Sequence, residues 1–169
     1  NNENNDLAGS AFCPQGGTGL ANNNKYMIIS VPTTNYENII LSYATQRTTT
    51  GFTTQTISYS LNGTFDDEII HETITSIAES FELKTISFVD IAGVEHNPNF
   101  KIKITFTGAS NSSGNNRIDN LKITGNQIAA KEIIAAGNSL SGESLTEAVN
   151  NKPFFSFSLR SDDGSIDLT

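Results

Sequence analysis

The sequence predicts an all-β protein built as a β-sandwich, and two observations lead to this prediction. Of the 169 residues, 57 are Asn, Thr or Ser, which favour strands and turns over helix interiors. The apolar residues occur in short runs that alternate with polar residues and are bounded by turn-forming residues. Because a sheet with one apolar face must bury it, two packed sheets are the expected architecture.

Six segments carry the strand pattern. After a polar first stretch of 24 residues, predicted as loop with one short strand around residues 7–12, the strands are expected at residues 26–31, 39–47, 55–61, 84–88, 100–107 and 117–125. Pro32 ends the first strand, because proline cannot donate to a ladder. Asn62-Gly63 is a hairpin signal after the third. The fifth is the most regular, with Phe100, Ile102, Ile104 and Phe106 on one face.

The segment 68–81 is ambiguous. Ile70, Ile74, Ile77 and Phe81 recur at helical spacing, but the high Ile and Thr content favours a strand. We expect β structure here, with a short turn of helix.

Composition excludes several classes of function. The formal net charge is -8 with only ten Lys and Arg, which disfavours nucleic-acid binding. A single cysteine, Cys13, allows neither an internal disulfide nor a cysteine-based zinc site. No apolar run approaches the roughly 20 residues of a membrane span, so no membrane insertion is expected. The chain shows no signal peptide pattern, which is expected of a cytosolic or an already processed chain.

Enzymatic chemistry is not expected either. The two histidines, His71 and His96, have no nucleophile placed beside them by any motif, and G-x-S-x-G is absent. Eighteen acidic residues offer many pairs for glycoside hydrolysis but no means of selecting one. We interpret the acidic runs 66–68 and 162–163 as a solvated loop and a turn.

A family resemblance rests on blocks within residues 35–125. These read NIILSYATQRTTTGFTTQTISYSLNG, FELKTISF and NPNFKIKITFTGASNSSGNNRIDNLKITG. Their order resembles the jelly-roll modules of secreted, multidomain proteins of Bacteroidetes-type bacteria, and IDNLKI resembles the last strand of galactose-binding-like and carbohydrate-binding jelly rolls. The resemblance implies a jelly-roll sandwich over residues 1–125, outside the cell, in a non-catalytic accessory role.

The last 44 residues form a second segment. Residues 126–169 resemble the start of an immunoglobulin-like module, a fold that needs about 100 residues. They can therefore not close such a core alone. Three outcomes stay open: the rest of the module is missing, the segment packs on the sandwich, or another copy completes it by adding strands.

Asp119 is the candidate metal ligand. In the strand 117–123 it is expected to share the inward face with Leu121 and Ile123, where a carboxylate must be neutralised or coordinated. Calcium would satisfy it through hard oxygen ligands, with Glu3 or Asp6 of the N-terminal segment as a partner, of which we take Asp6 as the candidate. Hydrogen bonds or an ion pair with Arg117 would satisfy it as well.

For glycan binding, the candidate residues are Arg47, Gln55, Asn116 and Arg117, which lie in the segments that carry the resemblance. A structural ion pair with an acid is the alternative for the two arginines. We therefore predict a secreted or cell-surface module for carbohydrate recognition or adhesion within a larger protein. The alternative is a structural subunit of an extracellular filament or surface layer, with self-association through residues 126–169.

Overall fold

The computed structural model describes residues 11–128, together with the backbone of two further strands at 157–161 and 164–168. The chain divides into two compact units, Asn1–Ile128 and Ala129–Thr169. In the part of the chain that the structure describes, no helix is long and apolar enough to span a membrane.

Within its described residues, 11–128, the first unit contains seven strands. They are β1 (Tyr26–Ser30), β2 (Tyr36–Arg47), β3 (Thr54–Ser60), β4 (Ile69–Ile74), β5 (Glu82–Ser87), β6 (Lys101–Thr107) and β7 (Asn116–Gln127). One antiparallel sheet has the order β1-β6-β3-β4 and the other the order β5-β2-β7. Within residues 11–128, a 3-10 turn, Thr18–Leu20, precedes β1.

The N-terminal segment adds an eighth strand position. Phe12 pairs with Ile118 and Gln15 with Asn115, so residues 12–15 lie along the free edge of β7. If residues 12–15 are counted as strand 1, then β1 to β7 become strands 2 to 8. The strand order is then 1-8-3-6 in the sheet that contains β7 and 2-7-4-5 in the four-stranded sheet. This is a double sheet in which the chain is folded once into a long hairpin and then rolled, the jelly roll. The predicted all-β jelly-roll sandwich is confirmed.

The core lies between the two sheets and follows the alternation read from the sequence. β6 contributes Ile102, Ile104 and Phe106, which are at most 3% exposed, and Phe100 just before it is equally buried. β2 contributes Leu41 and Tyr43, both fully buried, from the opposite sheet. The ring cluster of Tyr59, Phe88 and Phe100, with centroids 5.4–6.0 Å apart, fills one part of this core.

In the segment 68–81, the structure contains a strand but no helix. β4 ends at Ile74, and residues 75–81 are irregular up to the start of β5. The expected turn of helix is therefore wrong. Ile77 is nevertheless 1% exposed and its N–H donates to the Thr53 carbonyl, so its apolar side chain is buried through a loop contact and not through a helix face.

The last strands form a separate unit. β8 (Phe157–Ser161) and β9 (Gly164–Leu168) pair antiparallel, with Phe157 opposite Leu168 and Ser161 opposite Gly164. The likeness of residues 126–169 to an immunoglobulin-like module stays a prediction.

Candidate functional site

The outer face of the four-stranded sheet carries a straight row of one aromatic and three hydroxyl side chains. Tyr26 of β1 lies opposite Thr105 of β6, Thr105 opposite Thr56 of β3, and Thr56 opposite Thr73 of β4. Since neighbouring strands lie about 4.8 Å apart, this cross-strand row is about 14 Å long. Tyr26 is 57% exposed, so its ring stands open at the β1 end of the row.

The loop between β3 and β4 covers the outer face on one side of the cross-strand row. The next outward positions are Ile28, Lys103, Ser58 and Ile70. Residues 61–68, which we call the strap, connect β3 to β4 next to Ser58 and Ser60, both of which are completely buried. The strap therefore leaves the cross-strand row open and covers the part of the face beside it.

Carboxylates and lysines hold the strap in place. Asp67 accepts hydrogen bonds from the N–H groups of Leu61 and Asn62 at 2.9 and 3.0 Å, and from the Ser60 hydroxyl. Lys101 Nζ donates to the Gly63 carbonyl at 2.8 Å. The Ser60 hydroxyl lowers the pKa of Asp67 most, and the two N–H groups add to the effect, because all of them donate to the ionised carboxylate.

Lys103 sits at the boundary between strap and row. Its ammonium lies 5.0 Å from the centroid of the Tyr26 ring and 4.8 Å from that of Phe65, and it forms an ion pair with Glu68. Glu68 also accepts a hydrogen bond from Ser58 Oγ at 2.6 Å. These two donors, Lys103 first, lower the pKa of Glu68 below its usual range. The charge of Lys103 beside the row is thus neutralised by a carboxylate.

The four predicted ligand residues all fall at one end of the sandwich. Arg47 lies directly opposite Asn116, and Arg117 opposite Gln46, where β2 ends and β7 begins. Gln55 is at the start of β3. The structure brings them to the same region, but their side chains have different environments, and their role in glycan binding stays a prediction.

Gln55 is part of the core. Its side chain is completely buried, its Oε1 accepts a hydrogen bond from the Tyr43 hydroxyl at 2.8 Å, and its Nε2 donates to Thr45 Oγ1 at 3.0 Å. This chain of bonds links the two sheets. Burial, with a smaller effect of the Glu72 charge, raises the pKa of Tyr43 far above its usual value, so the hydroxyl stays a donor.

Arg47 is bound by loop backbone. Its Nε donates to the Ile77 carbonyl at 2.7 Å and its Nη1 to the Thr49 carbonyl at 2.7 Å, while Nη2 lies 3.4 Å from Glu79. The alternative of an ion pair with a neighbouring acid therefore describes its contacts. Arg117, in contrast, is exposed.

Asn116 presents an amide with no partner. The residue is completely buried, and neither its Oδ1 nor its Nδ2 forms a hydrogen bond within the described part of the chain. Three loops pack closely around this end through glycines. A Cβ on Gly114 would lie 2.1 Å from the Thr50 carbonyl oxygen, and one on Gly51 would lie 2.2 Å from that of Asn115.

Asp119 does not share a face with Ile123, and Leu121 is 37% exposed and not buried, which corrects the expectation that all three share the inward face. β7 carries a bulge, so that Asp119 lies opposite Ala44 and Lys122 opposite Ser42, whereas Ile123 lies opposite the buried Leu41. One extra residue in a strand moves all following side chains to the other face. The carboxylate accepts a hydrogen bond from the N–H of Asn120 at 2.8 Å.

The second proposed calcium ligand, Asp6, lies outside the described residues. Among residues 11–128, no three His, Cys, Asp or Glu side chains converge as a metal site would require. The calcium site stays a prediction.

Sequence reasoning missed the residues of the outer face, although one signal was present. In the strand YMII, Tyr26 and Ile28 are apolar on one face while Met27 and Ile29 are apolar on the other. A strand at the surface of a sandwich buries only one of its faces. Apolar residues on both faces of this strand therefore indicate that one apolar face is exposed. Nothing in the sequence pairs Lys103 with Glu68, because the strap that joins them is a tertiary feature.

No known family model and no curated protein sequence matches the chain. Among solved structures, the chain is similar to the xylan-binding module CBM15 with a TM-score of 0.45 and 14% identity, over 62% of this chain and 71% of that one. It is similar to a CBM4 structure (TM-score 0.43, 12% identity, 69% and 84% covered). A third is CBM28, a carbohydrate-binding module specific for non-crystalline cellulose (TM-score 0.41, 10% identity, 69% and 74% covered).

Proposed function

We propose that this chain is a non-catalytic carbohydrate-binding module that recognises a glycan on the outer face of its four-stranded sheet. The observation that carries the proposal is the cross-strand row of Tyr26, Thr105, Thr56 and Thr73. We further propose that the module acts outside the cell, in recognition or adhesion, as part of a larger surface protein.

The row matches the two surfaces of a sugar ring. A pyranose presents C–H groups on its faces and hydroxyls around its rim, so it needs a flat aromatic side chain together with polar groups in fixed positions. Tyr26 supplies the ring, and Lys103 restrains it from one side. The threonine hydroxyls donate and accept, and β-branching limits their rotamers, so little conformational entropy is lost on binding.

The test is the effect of Tyr26→Ala on binding to a panel of neutral polysaccharides, measured by affinity electrophoresis and then by calorimetry. We expect a loss of at least tenfold in affinity. The matched control is Tyr36→Ala, which removes a comparably exposed tyrosine (42%) from β2 in the other sheet and should bind as the wild type does. Equal binding by the wild type and Tyr26→Ala, or no binding to any polymer, would contradict the proposal.

The predicted residues at the sandwich end offer a competing location. Of these four residues, Arg117 is the one with an exposed side chain. Arg117→Ala therefore tests this end of the sandwich without disturbing the core. If this variant loses binding and Tyr26→Ala does not, the glycan lies at the loops and not on the sheet.

Calcium bound by Asp119 and Asp6 is a further proposal. The observation in its favour is the carboxylate of Asp119, a hard oxygen ligand that lies at the bulge of β7 and is not fully buried. A bound ion stabilises the fold by mass action. Thermal unfolding with and without EGTA decides the matter, since an unchanged Tm contradicts a structural calcium.

A structural subunit of a filament or surface layer is the second candidate. The β8–β9 pair favours it, because a sheet of two strands is marginal in water and gains from further strands. Light scattering tests this alternative. A monomer at high concentration contradicts it, whereas a shift to monomer on removal of residues 129–169, which leaves β7 intact, supports it.

A further inference from the structure

We propose that Glu68 is a specificity-determining residue: by neutralising Lys103 beside the cross-strand row, it makes the module select neutral glycans and reject those that carry carboxylates. This inference rests on the proposed function and deepens it. It starts from the only cation that lies against the exposed ring of the face within the described residues.

The geometry places the charge of Lys103 behind the ring on which a glycan would stack. The ammonium is 5.0 Å from the centroid of the Tyr26 ring, so a sugar stacked on the free side of that ring would lie across the ring from this charge and within the range of its field. A lysine in such a position would favour an anionic sugar if its charge were free, because two opposite charges attract strongly at short range near a protein surface.

Glu68 removes that attraction. Its carboxylate is bound to the Lys103 ammonium and held by Ser58 Oγ at 2.6 Å, which keeps it ionised and oriented. The pair is partly shielded, with the Lys103 side chain 12% and the Glu68 side chain 33% exposed. A sugar carboxylate would therefore meet a neutral pair, and it would have to break the existing ion pair to gain a new one.

The other charged residues of this face also disfavour the binding of anionic glycans. Lys101 is engaged by the Gly63 carbonyl, and the strap adds the carboxylates of Asp66 and Asp67. Counting two lysines against three acids leaves this face with a net charge of about -1, in a chain of -8. Long-range repulsion of a polyuronate adds to the absence of a local attraction.

The experiment compares neutral xylan, glucan and galactan with polygalacturonate, a polyanion, at low salt. Glu68→Gln keeps a hydrogen-bonding side chain but frees the charge of Lys103. We expect its affinity for polygalacturonate to rise about three- to tenfold over wild type and the rise to vanish at high salt. Its affinity for the neutral polymer should stay within about twofold.

Two controls separate this effect from net charge and from misfolding. Glu82→Gln breaks the Lys84–Glu82 pair on β5, changes the net charge by the same amount in the other sheet, and should gain nothing. The double variant Glu68→Gln/Lys103→Met should lose the gain, because the freed cation is removed. Thermal unfolding of each variant confirms that it is folded.

The outcomes are distinct. A wild type that binds a neutral polymer but not polygalacturonate, with a gain only in Glu68→Gln, supports the role of Glu68. Equal binding of both polymers by the wild type, or an equal gain in Glu82→Gln, overturns that role and leaves the proposed function standing. A wild type that binds no neutral polymer overturns the proposed function itself.

Discussion

The buried hydrogen bond between the two sheets allows a quantitative test. Tyr43→Phe removes only the hydroxyl that donates to Gln55 Oε1 at 2.8 Å. Both side chains are completely buried, so water cannot take the place of the lost donor. A buried acceptor left without a partner costs about 1–3 kcal/mol of unfolding free energy. In a domain of this size, that cost lowers the Tm by about 4–12 °C.

Urea titration followed by circular dichroism measures the change in unfolding free energy. The matched control is Tyr59→Phe, on β3 of the facing sheet, because Tyr59 is 6% exposed and its hydroxyl makes no hydrogen bond within residues 11–128. The double variant Tyr43→Phe/Gln55→Met should be less destabilised than the sum of its single changes, since it removes the Gln55 oxygen that Tyr43→Phe alone leaves unpaired. The loss of the hydrogen bond to Thr45 is common to the double variant and to Gln55→Met, so it does not affect this comparison. If Tyr43→Phe stays within about 0.5 kcal/mol of the wild type, the bond does not stabilise the core and the reasoning fails.

Three further changes test the loops. Arg47→Met removes the hydrogen bonds to backbone carbonyls and the contact with Glu79, and should lower the unfolding free energy by about 2 kcal/mol in urea titration. Gly114→Ala places a Cβ 2.1 Å from the Thr50 carbonyl oxygen and should cost about 1–3 kcal/mol in the same assay. The pKa of Asp67 is lowered in the folded state, so its stabilisation is fully present above about pH 4 and is lost as the pH falls through the lowered value. Asp67→Asn should therefore show a flatter dependence of Tm on pH in that acid range.

Each of these three variants has a matched control variant. Lys84→Met breaks an exposed ion pair with Glu82 and should change stability by less than about 1 kcal/mol, well below the effect of Arg47→Met. Ser112→Ala alters an exposed residue in the same loop as Gly114 and should have no effect. Glu82→Gln should keep the acid sensitivity of the wild type. A wild-type acid profile in Asp67→Asn would show that this carboxylate does not hold the strap.

The strand positions could be predicted from the sequence, because the alternation of apolar and polar residues reflects which side chains are buried. The regular pattern around Phe106 predicted a strand at residues 100–107, and β6 is Lys101–Thr107 with its apolar face in the core. β2 and β7 were predicted shorter than they are. Their polar ends at Tyr36 and Gln127 pair with each other, and such pairing depends on backbone hydrogen bonds that carry no side-chain pattern.

The candidate site was harder to predict, since a residue type does not reveal which side of a sheet it faces once a bulge or a loop intervenes. Asp119 changed face because of a bulge. Gln55 had the chemistry of a ligand residue, but its partners Tyr43 and Thr45 come from the facing sheet. A polar side chain is as suitable for a buried network as for a sugar, and only its neighbours decide between the two.

By itself, the sequence determined the class of the fold and much of its core, because short alternating runs of Ile and Phe among Asn, Thr and Ser can bury one face only as paired sheets. It also determined the acidic character that disfavours nucleic acids. The tertiary structure decided which residues meet. Jelly-roll pairing aligns Tyr26 with three threonines from strands far apart in the chain, and the strap brings Glu68 to Lys103. Both are contacts between distant segments, and local periodicity holds no information about them.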